Sequence, residues 1–252
     1  MKVYISVDLE GIGGVVRPSQ LAGDLPDYEH TRDWATQEVL AVIAGATKAG
    51  ATEIWVKDAH GSGANLRWNE FPAEVQLVSG RTRPIRFPGL DSSFMALFLV
   101  GYHAMAGTEN AVLDHTWEEG LHFFLNGREI GEIAFDAAIA GSLRVPCALV
   151  TGDDKTASEA QAFLGKVETV IVKEALTAQG AICYPQTEVL QRLQAGAQSA
   201  LRRVRAREIK PYTPPAPLHF YVEWLTADGT TGSGEAHGDD PRHVFREVLG
   251  ES

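Results

Sequence analysis

Short apolar runs that stop abruptly at acidic, imidazole or glycine residues, with helix-length segments between them, constrain this chain most. Val3 to Val7 is β-rich and breaks into Asp8-Leu9-Glu10 and a glycine-rich stretch, Gly11 to Gly14. Such a run reads as a buried strand opening into a loop. Ile54-Trp55-Val56 ends the same way, at Lys57-Asp58-Ala59-His60, and Phe94 to Val100 runs into Gly101-Tyr102-His103. Between the first two, Ala35, Val39, Val42, Ile43 and Ala46 recur at helical spacing, with Asp24 or Asp27 available as cap and Gly50 as stop. Strand, helix, strand in this order predicts an α/β fold, with a mostly parallel sheet flanked by helices.

The remaining segments extend that pattern. Val75 to Val78 predicts a third short strand. Leu121 to Leu125 and Arg128 to Ile130 flank Asn126-Gly127, a hairpin excursion with a type I′ turn. Gly131 to Leu143, Asp153 to Leu164 and Thr187 to Val204 predict helices, while Val145 to Val150, Val167 to Val172 and Leu218 to Leu225 predict strands. Pro211, Pro214, Pro215 and Pro217 make the segment before the last strand an extended connector. From 228 to 240 the chain is glycine-rich and carries His237. At 252 residues the chain suits a single catalytic α/β unit, 1–252, with a possible division into two lobes after about residue 175.

Open parallel sheets bind ligands outside the carboxyl ends of their strands. The predicted strands bring Asp8 and Glu10, then Asp58 and His60, then His103, to that edge. If the first strand runs on past Val7, period-two alternation puts Asp8 and Glu10 on one side. Carboxylates and imidazoles converging there form a donor set zinc accepts. Each residue also has an ordinary reading: the acids as turn caps, Asp58 to Gly61 as a polar loop start, and Glu132 as a first-turn carboxylate facing the helix dipole. Coincidence at three strand ends is what favours a metal site.

Gly11-Ile12-Gly13-Gly14 fails as a dinucleotide cradle, because Val15-Val16-Arg17-Pro18 follows where a helix would have to begin. It reads instead as a turn that lets backbone approach closely. A net charge of −11 disfavours nucleic-acid binding. The cluster Arg202, Arg203, Arg205 and Arg207 reads as a solvated helix face. No apolar run approaches membrane-spanning length, and Met1 to Val7 is too short for a signal core. Cys147 and Cys183 follow no ligand spacing. These features predict a cytoplasmic protein with neither nucleic-acid nor membrane partners.

Ser6 to Ile12, Lys57 to Gly61, Gly101 to Ala104, Asp114-His115-Thr116 and Gly131-Glu132-Ile133 resemble, in order, the successive motifs of the D-aminopeptidases of peptidase family M55. The resemblance spans roughly residues 1 to 175 and thins after the proline-rich connector, where it implies a more apolar strand than the glycine-rich stretch 228–240 with His237. It implies a two-zinc site built from Asp8, Glu10, His60, His103 and Glu132, with Asp8 bridging the ions. It implies His115 as the catalytic residue, either a nucleophile or a proton carrier, and a ring-like homo-oligomer, decameric, with active sites facing an interior channel. The expected activity is zinc-dependent hydrolysis of short peptides or amides with an N-terminal D-amino acid, through a metal-activated water with His115 assisting. Asp114, Glu118 and Glu119 are candidates to hold the substrate's α-ammonium, and Asn65 to support the loop after His60. Three alternatives remain at this point: a metal-dependent amidase on a non-peptide substrate, a non-catalytic peptide-binding protein, and a haloacid-dehalogenase-like phosphohydrolase. The last is suggested by Asp8-Leu9-Glu10 and Gly152-Asp153-Asp154, but has no use for three histidines.

Overall fold

The computed structural model of the protein describes all residues except 22, 24, 25, 84, 227, 228 and 250–252, and the side chain of 26. In chain order the elements are β1 (Lys2–Val7), α1 (Pro26–Lys48), β2 (Glu53–Asp58), β3 (Val75–Val78), β4 (Phe94–Val100), β5 (Leu121–Leu125) and β6 (Arg128–Ile130). They continue as α2 (Glu132–Ser142), β7 (Cys147–Asp153), α3 (Asp154–Leu164), β8 (Glu168–Thr177), β9 (Gly180–Cys183), α4 (Gln186–Arg205), β10 (Leu218–Leu225), β11 (Thr231–Gly238) and α5 (Pro241–Val248). The protein is thus α/β, with a mostly parallel sheet.

That sheet has seven strands in the order β3-β2-β1-β4-β7-β8-β9, all parallel except β9, which runs antiparallel to β8 at the edge. Strand alternation sorts its side chains into two cores. Val3, Ile5 and Val7 of β1 join Val39, Val42 and Ile43 of α1 and Leu193, Ala197 and Leu201 of α4 on one face. Tyr4 of β1, with Leu97 and Leu99 of β4, joins Ile133 and Ala137 of α2 on the other. The order reverses between β1 and β4, since the chain leaves β1 toward β2 and β3 and returns on β1's other side. Such a switch point opens a crevice beyond the strand ends.

The hairpin does not stand alone. β5 and β6 join β10 and β11 in a four-stranded antiparallel sheet, β11-β10-β5-β6, which takes strands from both sides of residue 175. Asn126 and Gly127 have φ of 52° and 76°, the two left-handed residues a type I′ turn requires. The inner face of this sheet packs Phe123, Phe220 and Val222 against Phe135 of α2 and Phe245 of α5.

Three expectations are corrected. Asp27 is the second residue of α1 rather than its cap, while Asp24 lies outside the described residues. The eighth strand runs on to Thr177 and pairs with β9. The glycine-rich C-terminal segment does form a strand, because its glycines make room: a Cβ on Gly232 would lie 2.4 Å from the Trp224 indole nitrogen across the ladder. Ala236 is the residue of β11 that turns into the core, so the strand needs little apolar character of its own.

Candidate metal centre and its cleft

β1 stops at Val7, so Asp8 and Glu10 are not aligned by strand alternation. A turn brings them together. The Leu9 N–H faces both carboxylates, 3.0 Å from Asp8 Oδ1 and 3.3 Å from Glu10 Oε2, and the Ile12 N–H returns to Leu9 O. Two contacts hold this turn against β4: Asp8 N–H donates to Val100 O, and Gly11 N–H to Gly101 O. Gly11 is required there, because a Cβ would sit 1.9 Å from the Tyr102 carbonyl oxygen. The glycine stretch therefore serves backbone packing between the β1 and β4 loops.

The loop after β2 delivers His60. Its Nδ1 lies 3.0 Å from Asp8 Oδ1 and 3.2 Å from Glu10 Oε1. Asp58, which the sequence offers as a ligand, is spent on the loop instead. Its carboxylate accepts from Asn65 N–H, Leu66 N–H and the Asn65 side-chain amide, at 2.6, 2.9 and 2.6 Å. The same Asn65 amide donates to His60 O, and Tyr28 donates its hydroxyl to Asn65 Oδ1. Asp58 and Asn65 thus shape the turn that presents His60.

His103 follows β4 and is 2% exposed. Its Nδ1 donates to Ala104 O, which fixes the tautomer and turns Nε2 inward. Nε2 is 3.7 Å from Asp8 Oδ2 and 3.4 Å from Glu132 Oε1, yet it has no hydrogen-bond partner. A buried ring nitrogen with a fixed tautomer, aimed at carboxylates without bonding them, is what a metal ligand presents. Glu132 opens α2, and Trp117 N–H donates to its Oε1.

His115 sits on the loop between β4 and β5. Its ring stacks on His103 with centroids 3.8 Å apart and planes within 14°, and its Nδ1 donates to Leu113 O. Leu113 and Trp117, two residues either side, have φ of 54° and 67°. Left-handed backbone at two non-glycine residues costs energy and concentrates at functional loops. Ligand atoms of Asp8, Glu10 and His103, and of His103, His115 and Glu132, lie within 4.8 Å of one another. The six site residues implied by the family resemblance are therefore brought to one place.

Electrostatics bind this cluster tightly. Burial raises the Asp8 carboxyl, but the His60 hydrogen bond and charge outweigh it and hold Asp8 well below the usual carboxylate range. Glu132 is likewise pushed up by burial and then drawn down to about 2 by His103 and Arg86. Burial lowers His103, and the Glu132 carboxylate beside it reverses this, to about 10. His60 is raised well above its ordinary value against burial by Glu10 and Asp8. Clustered acids that need positive charge this strongly fit a divalent cation.

Several supporting residues escape a motif reading. Arg86 forks onto Asp136 at 2.7 and 2.8 Å and donates to Glu132 Oε2 at 2.9 Å. Tyr102 donates to Asp136 Oδ2 and meets Ser6 Oγ. On the far side, buried Lys173 donates to the carbonyls of Glu10, Ile12 and Val15, the Ile12 bond being 3.0 Å. Glu38 accepts from Gly13 N–H at 2.8 Å. Asp136 inside the apolar run of α2 and Lys173 directly after the apolar run Val170 to Val172 were the available signals, since a buried charge must have a partner.

Asp8, Glu10, His60, His115 and Glu132 line a cleft of about 710 Å³. Glu118 lines it, whereas Asp114 is engaged by Gly107 N–H. Arg81, Arg83, Arg86, Arg242 and Arg246 line it as well, as does Lys57, whose ammonium burial pulls down to about 7.

The class follows from the fold, the clustered donors and the comparisons with known proteins together: a metallo-aminopeptidase. The chain belongs to peptidase family M55, D-aminopeptidase, whose model matches residues 1–232. It is 35% identical over 217 residues to the D-aminopeptidase of Bacillus subtilis (strain 168), covering 85% of this chain and 78% of that protein. The solved structure of the Zn-dependent D-aminopeptidase DppA from Bacillus subtilis, described as a self-compartmentalizing protease, superposes with a TM-score of 0.92 at 30% identity. That match covers 100% of this chain and 96% of the other. The strand and helix after residue 230 are thus part of a shared fold, although the sequence resemblance fades there. No helix among the described residues is long and apolar enough to cross a membrane.

Proposed function

We propose that residues 1–252 act as one catalytic unit, a zinc-dependent aminopeptidase that hydrolyses short peptides or amides with an N-terminal D-amino acid. The observation that carries this reading is the buried His103 Nε2, which faces Asp8 and Glu132 without making a hydrogen bond to either. Asp8, Glu10, His60, His103 and Glu132 would hold two zinc ions. Bound there, zinc would activate water and polarise the scissile carbonyl. The protein's own groups do the rest. His115 keeps Nδ1 occupied by Leu113 O, so Nε2 is the atom that takes a proton from the attacking water and passes it to the leaving amine. Proton transfer is preferred over nucleophilic attack by His115, because water supplies the nucleophile and the amine must leave protonated.

Glu118 in the cleft suits the substrate's α-ammonium, and the arginine-lined wall suits the carboxylate of a short peptide. A cleft of this volume accommodates only a few residues of substrate. A ring-like homo-oligomer with enclosed active sites fits this reading, by likeness to the self-compartmentalizing neighbour. So does a cytoplasmic location, where the unpaired Cys147 and Cys183 stay reduced. The test is hydrolysis of matched D- and L-alanyl dipeptides by zinc-loaded protein, with elemental analysis of the same sample. D-selective turnover is expected, with two zinc ions per chain that are lost when Asp8 is replaced by Asn. L-selective turnover, or magnesium-dependent release of phosphate from an aryl phosphate instead, overturns the reading.

A further inference from the structure

We infer that the solvent face of the four-stranded sheet carries a separate transition-metal site, built from His219 on β10 and Glu235 and His237 on β11. His219 and His237 are directly opposed in the antiparallel register. The His219 N–H and C=O both point the other way, to Asn126, bonding its Oδ1 and its N–H at 2.8 Å each. The His219–His237 pair is therefore a non-hydrogen-bonded pair, the type whose side chains approach most closely. Their rings are 4.3 Å apart and within 7° of parallel. Glu235, the diagonal neighbour of His219, meets its Nε2 through Oε2 at 2.8 Å. One ligand atom from each of the three residues lies within 4.8 Å of the others. All three point away from the core, opposite to Phe220 and Ala236.

A surface ion pair would account for His219 and Glu235 alone. It does not account for His237, whose ring lies flat on the other imidazole. Two protonated imidazoles in that position would repel. Two neutral imidazoles and one carboxylate sharing a cation do not, and this is an established donor set for zinc. Three protein ligands leave a tetrahedral ion one position for water. The set is of borderline softness, so it selects Zn²⁺ and its transition-metal neighbours over Mg²⁺ or Ca²⁺. The strands fix the backbone spacing of all three residues, and a rotation of the stacked imidazoles about their side-chain bonds lets their in-plane nitrogens meet at one ion.

The test uses the full-length protein, zinc as the probe and equilibrium dialysis at fixed free zinc, with the bound metal counted by elemental analysis. The double variant His219→Gln, His237→Gln is expected to hold one ion fewer per chain than wild type, with unchanged peptidase activity. Loss of the carboxylate in Glu235→Gln is expected to weaken that ion's binding by about ten- to a hundredfold, at least the cost of losing an outer-shell partner. Equal zinc counts in wild type and double variant overturn the site, and an unchanged affinity in Glu235→Gln overturns this ligand set. Should the double variant fold poorly, wild-type protein still decides: zinc should protect His219 and His237 from diethyl pyrocarbonate, read by peptide mapping. Equal modification with and without zinc overturns the inference. The count difference is independent of what the cleft hydrolyses.

Discussion

The cleft and the outer face of the four-stranded sheet offer the same donors, imidazole and carboxylate, on opposite foundations. In the cleft most of the donors are braced from behind. Arg86 and Trp117 N–H fix Glu132, Ala104 O fixes His103, Leu113 O fixes His115, and Lys173 gathers the carbonyls beneath the Asp8–Glu10 turn. On the sheet, strand register alone brings His219, Glu235 and His237 together, and both residues from β11 are solvent-exposed. The difference teaches what separates a reactive centre from a binding patch. Donor identity sets which ion is accepted, while buried bracing sets how firmly the donors hold their geometry through a reaction.

Removing a braced donor should have the largest effect. Asp8→Asn is expected to take peptidase activity to background and to strip zinc from the cleft. It would also leave His60 and His103 with less negative charge beside them. Activity and metal content measured on one preparation check this. Retained turnover would mean that Asp8 is a structural turn residue, and the contrast with the sheet would collapse.

Removing a brace while keeping every donor should have an intermediate effect. Lys173→Met leaves three buried carbonyls without their cation, at a cost of about 3–5 kcal/mol in stability. Because those carbonyls belong to the turn carrying Asp8 and Glu10, zinc affinity should also fall about ten- to a hundredfold. Chemical denaturation with and without chelator separates the two effects. A stability loss with unchanged zinc affinity would show that Lys173 holds the fold but not the site.

Much of this arrangement was legible in the chain. The strand ends were readable because buried parallel strands are apolar throughout, so Asp8, His60 and His103 interrupt the pattern at the edge where ligands bind. The bracing was not, because it couples residues far apart in sequence. Nothing near Lys173 announces that Glu10 lies above it, and nothing near Arg86 announces Asp136 fifty residues later. Asp58 shows the converse limit, since a carboxylate beside a ligand can be spent wholly on its own loop. The strand Thr231–Gly238 was obscured because its register depends on Trp224 filling the space that its glycines leave, a fact about the partner strand.

The smallest expected effect concerns Glu38, a brace that is itself under tension. Its Oε1 accepts from Gly13 N–H, but its Oε2 is buried without a partner. Burial pushes its carboxyl up to about 7, against the opposing pull of the Gly13 hydrogen bond and the Lys173 charge. A folded-state value above the unfolded one means that the folded protein binds the extra proton. The resulting stabilisation is complete below about pH 4.5 and is lost as pH rises through about 7. Glu38→Gln removes this titration while retaining an acceptor for Gly13. Its unfolding free energy should therefore decline less than that of wild type between pH 5 and 8, by no more than about 3 kcal/mol. Glu159, similarly raised by burial, contributes to both proteins and cancels in the difference. Parallel pH profiles for the two proteins would mean that Glu38 stays ionised beside Lys173 throughout, which would make the two a permanent ion pair beneath the turn.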